Sequence, residues 1–274
     1  MLVSEDDGAD VVESLNKDGL LSSIIEDWRL EYIKQYETWF SLGRDLNRTT
    51  TKLWIDHWRK GEGESAASLL PVSARVLGRA LSGFASSLIL CERGLAIDAA
   101  NLARSIIEAS FWLSWMERDA PSALSALEAD DLKSWIASER ELQKLPSVGD
   151  AARDESKKRE RAYVDKLGPR KRPEISEIAE KFGSDHSYLN YRILSGHYAH
   201  TSQTSIKYNF LPNGDGTGMN ILGPHAGEIP KSLYFSCVGL IDCGTAYAKL
   251  VKDDDAVAAL SGSLRKVNAL RDKA

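Results

Sequence analysis

The sequence predicts a mainly α protein: an up-and-down helical bundle with a small β-hairpin inserted near residues 206–222. Three observations predict it. Apolar residues recur every three or four positions along most of the 274-residue chain, the period of one helical face. Hydrophobic residues make up 43% of the chain, enough to bury a core and too many for wholesale disorder. Strand-like runs flank a turn signal at one place, Asn213-Gly214-Asp215-Gly216, which reads as a small hairpin or a mobile flap.

In chain order, residues 1–20 are acidic and lack apolar periodicity, so a flexible N-terminus is expected there, with a single helical domain over 21–274. Ile25, Trp28, Tyr32, Tyr36 and Trp39 share one helical face, and the pattern weakens at Gly43 and Asn47. A second, short helix carries Leu53, Trp54 and Trp58 and stops at Gly61-Glu62-Gly63. Pro71, at a favoured first-turn position, opens a helix whose stripe is Val76, Leu77, Ala80, Leu81, Phe84, Leu88 and Cys91. Gly94 separates it from a long helix near 95–118 with Ala96, Ala100, Ala103, Ile107 and Phe111 inward. A tight turn between two such helices predicts an antiparallel hairpin. Pro121 starts the next helix, with Leu124, Leu127, Leu132, Trp135 and Ile136 expected to face inward. All seven tryptophans lie between Trp28 and Trp135, which predicts heavier packing in the first half.

A basic connecting segment follows at about 143–172. From Arg153 to Arg172 there are nine Lys/Arg against four Asp/Glu. It reads as a solvated helix flank with pairs such as Asp154–Lys158, or as a patch for an RNA backbone. Pro173–Phe182 is a short helix with Gly183 as its stop, and a helix from about Ser184 to His200 comes next. Tyr234–Val251 and Ala256–Arg271 close the chain. Leu233–Val251 is the most membrane-like run, but Asp242 and small polar residues interrupt it, so a buried helix is expected.

The net charge is −5, which excludes a general polyanion binder and requires any nucleic-acid role to rest on a local patch. Three cysteines, Cys91, Cys237 and Cys243, with no CxxC pair, exclude a disulfide scaffold and fit a reducing compartment. MLVSEDDGAD has neither a basic region nor an apolar run, so no signal peptide and a cytoplasmic location are expected. The chain carries no GxxxxGK[ST], HExxH or GxSxG motif.

Two constellations remain. Asn101, Arg104 and Glu108 share a face of the 95–118 helix, continued by Trp112 and Trp115. A charged pair beside an apolar stripe either bridges internally or orients a catalytic group. The denser cluster is Tyr191-Arg192-Ile193-Leu194-Ser195-Gly196-His197-Tyr198-Ala199-His200. Around a regular helix Arg192 and His200 lie roughly 80° apart and Arg192 and His197 about 140°, less if the helix bends at Gly196. Arginine clamps phosphate and histidine moves protons, so together they can cleave RNA without metal. The rival chemistry is a metal shared by His197 and His200 with Glu108 or Asp185. The plain alternative is a polar cluster that only hydrogen-bonds the bundle together.

Arg104-Ser-Ile-Ile-Glu108, followed downstream by Tyr191-Arg192-Ile-Leu-Ser195 and His200-Thr-Ser, resembles a bacterial family of uncharacterised helical proteins with "LxRsxxEa" and "YrxLSxxxH" motifs. The resemblance covers about residues 75–210. The same residues resemble the HEPN superfamily of α-helical domains, whose motif is Arg, four to six residues, then His. Arg192 to His197 fits with four intervening residues; His200, seven away from Arg192, is the competing candidate. The resemblance implies a metal-independent endoribonuclease of a toxin or antiphage defence system. Arg192 would clamp phosphate and His197 or His200 would serve as acid or base. Arg104, Glu108, Asn101, Tyr191 and Ser195 would support them. It implies a homodimer with a composite site, an RNA substrate and an antitoxin or defence-system partner. No cofactor, metal, membrane or DNA-specific contact is expected. The alternative is a non-catalytic helical module that binds RNA, a nucleotide or a protein partner.

Overall fold

The computed structural model describes residues 14, 17–199, 203–212, 217–220 and 223–273. Eleven α-helices run through these residues. They are α1 (Ile24–Gln35), α2 (Glu37–Trp58), α3 (Leu69–Glu92), α4 (Ala96–Arg118), α5 (Ala120–Lys144), α6 (Asp150–Leu167), α7 (Ile175–Phe182), α8 (Asp185–Leu194), α9 (Gln203–Ile206), α10 (Ile229–Val251) and α11 (Asp254–Arg271). The protein is mainly α.

The first helices divide differently from expectation. The chain breaks at Tyr36 (φ −111°, ψ 30°), and α2 then runs unbroken through Gly43 and Asn47. Gly43 serves packing here: a Cβ at this position would stand 2.7 Å from Leu88 Cδ2, so α2 and α3 approach closely because it has none. α3 begins two residues before Pro71, whose missing N–H is tolerated in the first turn. It turns into α4 at Gly94 (φ 75°), where the Leu95 N–H closes onto Leu90 O at 2.9 Å. A side chain at Gly94 would also meet Pro224 Cβ at 2.5 Å. The expected α3–α4 hairpin therefore rests on a residue that alone tolerates both the dihedral and the contact.

The core sits where α10 packs along α4 and α3. Leu233, Cys237, Leu240 and Tyr247 of α10 are fully enclosed. Small residues let the backbones close: a Cβ on Gly239 would stand 3.0 Å from Ile107 Cγ1, and one on Gly244 2.9 Å from Leu260 Cδ1. Serine hydroxyls inside this interface find partners, as burial of a polar group requires. Ser232 Oγ donates to Ala96 O (2.7 Å), and Ser87 Oγ meets Ser236 Oγ at 2.7 Å. All three cysteines are free and buried, and burial pushes their thiols up.

α10 ends with Lys252 in the left-handed region (φ 59°), and Asp253 caps α11 by accepting from the Ala256 N–H at 2.9 Å. The same carboxylate lies 2.8 Å from His57 Nε2 at the end of α2, tying three helices at one corner. Among the described residues the first half does hold more of the buried apolar side chains, 27 up to Ile136 against 19 beyond it, but the tryptophans contribute little to that. Of the seven, Trp39 and Trp112 are buried, Trp135 is 51% exposed beside Tyr163, and the most enclosed helix is α10, which has none. Among the described residues α3 is long and apolar enough to cross a membrane, and it packs inside the bundle.

The basic segment is an arm. α6 packs antiparallel on α5 over a small core of Ala129, Leu132, Ile136 and Leu167. Seven of its nine cations are ion-paired. Arg159 grips Glu139 with two bonds (2.7 and 3.0 Å), and Lys157 pairs with Asp154 at 3.0 Å. Lys158, expected opposite Asp154, bonds Glu155 instead (2.6 Å). Arg161 and Lys171 alone lack an ion-pair partner among the described residues. Toward the C-terminal half, Phe210–Pro212 and Gly218–Asn220 pair antiparallel, Phe210 opposite Asn220. The turn expected at 213–216 lies outside the described residues, so no complete hairpin is described. Of the flexible N-terminus expected over 1–20, residues 14 and 17–20 are described, and a short 3-10 turn at Gly19–Leu21 closes it; the other residues lie outside the described ones.

Candidate functional site

The site is built on the face where α8 lies against α4. Leu194 and Tyr191 pack on Phe111, with the Tyr191 and Phe111 rings edge to face at 5.9 Å. α7 closes the end of this cluster through Ile178, held by a capping box between Glu174 and Glu177. Of the α3–α4 hairpin, α4 is the helix that packs against α8 and the following turn.

Arg104 organises the site. Its Nε donates to Ser195 Oγ (2.9 Å) and its Nη2 to Tyr191 Oη (2.6 Å). Its guanidinium also lies 4.7 Å from the Tyr191 ring centre, and its Nη1 faces Glu108 Oε2 at 3.3 Å. Burial holds the Glu108 carboxyl above its usual range; Asp130 adds to this, while Arg104 and Arg172 oppose it. Burial also raises the Tyr191 phenol, with Glu108 acting in the same direction. Four residues expected to support the site, Arg104, Glu108, Tyr191 and Ser195, therefore meet. The fifth, Asn101, is exposed one turn away and makes no hydrogen bond among the described residues.

The α8 helix does not run regularly to His200. It ends at Leu194, and Ser195–Ala199 form a π turn in which Gly196 supplies slack. A π turn holds an extra residue, so positions five apart come nearer one face than the 140° of a regular helix. Arg192 and His197 are both exposed, and neither side chain has a hydrogen bond or ion pair among the described residues; the His197 ring lies 6.3 Å from that of Tyr198. Their neighbours point the other way. Tyr191 is held by Arg104, and Tyr198 is buried and donates to Glu228 Oε2 at 3.0 Å. His200 lies outside the described residues, as does the side chain of Asp185. Among the described residues no three His, Cys, Asp or Glu converge as a metal site.

Sequence reasoning missed a second layer beneath the turn. Tyr198 and Tyr208 stack at 5.5 Å, with Tyr208 donating to Tyr198 Oη at 3.1 Å. Burial, Tyr208 and Glu228 all push the Tyr198 phenol up. Lys231 covers the Tyr198 ring at 5.4 Å, and His225 meets Tyr208 edge-on. Burial lowers the His225 imidazole, against the pull of Glu228 and Asp98. These residues come from three separate stretches with no shared periodicity, so no local pattern marks them. Asp242 had a signal, a carboxylate inside an apolar run. It is half-buried on α10, accepts from Ser187 Oγ at 2.5 Å, and desolvation raises its pKa.

Fold and site together define a class: a helical bundle in which one long-helix arginine pins a turn that presents an unpaired Arg/His pair. Within that class the chain belongs to DUF5677, a family of unknown function whose pattern matches residues 72–217. The matched span contains the whole Arg104 cluster and the π turn and stops before α10. No curated protein and no solved structure matches the chain.

Proposed function

We propose that this protein is a metal-independent endoribonuclease of the HEPN type, acting as a homodimer within a toxin or defence system. One observation carries the reading: Arg192 and His197 are both exposed and unpaired on a turn whose inner side is fastened through Tyr191 and Ser195 to Arg104. In the proposed reaction His197 takes the proton of an RNA 2′-hydroxyl, and the 2′-oxygen attacks the adjacent phosphorus. Arg192 stabilises the charge on the phosphorane oxygens. The P–O5′ bond breaks with protonation of the 5′-oxygen, leaving a 2′,3′-cyclic phosphate and a 5′-hydroxyl. A second copy of the turn supplies the acid in a composite site.

The test is cleavage of labelled RNA by the purified protein in EDTA, with analysis of the new ends, beside total RNA from expressing bacteria. Cyclic-phosphate ends are expected, with losses of about 100-fold or more for Arg192→Ala and for His197→Ala. Intact RNA both in the tube and in expressing cells overturns the reading, and so does undiminished cleavage by Arg192→Ala. One observation favours a second reading, a non-catalytic module that binds through the same residues. No carboxylate or carbonyl holds the His197 ring among the described residues, whereas catalytic bases are usually oriented by a third group. That module would bind RNA or a protein partner and lose affinity, but no turnover, on Arg192→Ala.

A further inference from the structure

A cleft of about 1030 Å³ opens between α3, α4 and α5, with Arg104 in its lining. Its volume is at the upper end for small-molecule sites. Val72, Val76, Ala109 and Leu124 give it an apolar floor, with Trp112 at the base stacked on Trp115 at 5.6 Å. Charged groups stand on the walls, and most are satisfied from outside. Glu128 takes Lys166 (2.9 Å) and Arg170 (2.5 Å), and Asp130 takes Arg172 (2.5 Å). Arg75 is held across the rim by the carbonyls of Pro71 and Ala66.

Three groups are left over. Arg79 has no hydrogen bond or ion pair among the described residues. Glu108 has Arg104 as its ion-pair partner, at 3.3 Å, and no hydrogen bond among the described residues. Asp131 is exposed at the outer edge, also unpaired. The first two line the same cleft. A cation with no ion pair and a carboxylate held by Arg104 alone thus border one apolar floor. A purely apolar ligand would use neither, and an inorganic anion would leave the floor empty.

We propose that this cleft is a nucleotide-binding site. The phosphate lies against Arg79, the base covers Trp112 and the apolar floor, and a base N–H donates to Glu108. The cleft is distinct from the Arg192–His197 turn, and the proposal stands independently of the nuclease reading. It is tested by calorimetric titration of the full chain with AMP, GMP, CMP and UMP separately, and with inorganic phosphate. At least one nucleotide is expected to bind saturably, tenfold or more tighter than phosphate. Arg79→Glu should weaken it at least tenfold, while Arg192→Ala binds as the wild type does. If charge reversal lowers the melting temperature, Arg79→Gln replaces it at this exposed position. Absence of binding by all four nucleotides overturns the proposal. So does phosphate binding as tight as any nucleotide, which marks an adventitious ion only, and so does full affinity in the Arg79 variant.

Discussion

The α10 core and the α5–α6 arm hold together by opposite means. α10 buries nearly every side, and its interface closes because Gly239 and Gly244 let neighbouring helices approach. Between its two helices the arm buries a core of four apolar residues and otherwise lies in a lattice of ion pairs. The difference teaches that a local surplus of cations does not measure a free basic surface. The arm's surplus is consumed largely by carboxylates that the fold brings across from α5, such as Glu128, Asp130 and Glu139.

The contrast is easiest to break at the centre. Phe84 is fully buried, so Phe84→Ala should lower stability by about 3–5 kcal/mol in a denaturant titration. A loss under 1 kcal/mol would mean that the centre is no better packed than the arm. The next effect is at the corner where a polar contact fastens the bundle. Removing the Asp253 cap with Asp253→Ala should cost about 1 kcal/mol. Asp253 is held below the usual carboxylate range by the Ala256 N–H and by His57. Its contribution is therefore present above the unfolded value near 3.8 and fades as pH falls through the lower folded value. The wild type should lose more stability than Asp253→Ala below about pH 4, and parallel acid curves for the two would refute the assignment. The smallest effect sharpens the comparison from the arm's side. At 1 M salt the screening length is about 3 Å, so α6 amides should exchange faster while α10 amides do not change. Equal acceleration in both helices would show that the arm does not depend on its ion pairs.

Much of the fold was legible because helical periodicity is local. The stripe from Leu77 to Cys91, the Gly94 turn and the start of α5 near Pro121 are each written in neighbouring residues. Gly43 was misread because a glycine inside a helix looks like weakness until its neighbour is known, and the neighbour, Leu88, is 45 positions away. Trp135 was placed inward because its size suggests burial, yet it lies on the arm, which has too small a core to enclose it. The Arg104–Glu108 pair was legible from spacing, and its partners Tyr191 and Ser195 were named, but the bond pattern joining them was not. The Tyr198–Tyr208–Glu228 layer was invisible because its members come from separate stretches, and the Arg79 cleft because it depends on how three consecutive helices splay apart.

By itself the sequence determined that the chain is helical and which residue types could carry chemistry, because period and composition are properties of short segments. Only the tertiary structure decided which of two adjacent residues turns inward. Tyr191 and Tyr198 are buried and bonded, whereas Arg192 and His197 beside them face solvent. The reason is physical. Arg104 satisfies its guanidinium with the Tyr191 and Ser195 hydroxyls and Glu108, so the half-buried space on that face is filled and the second arginine is left in water.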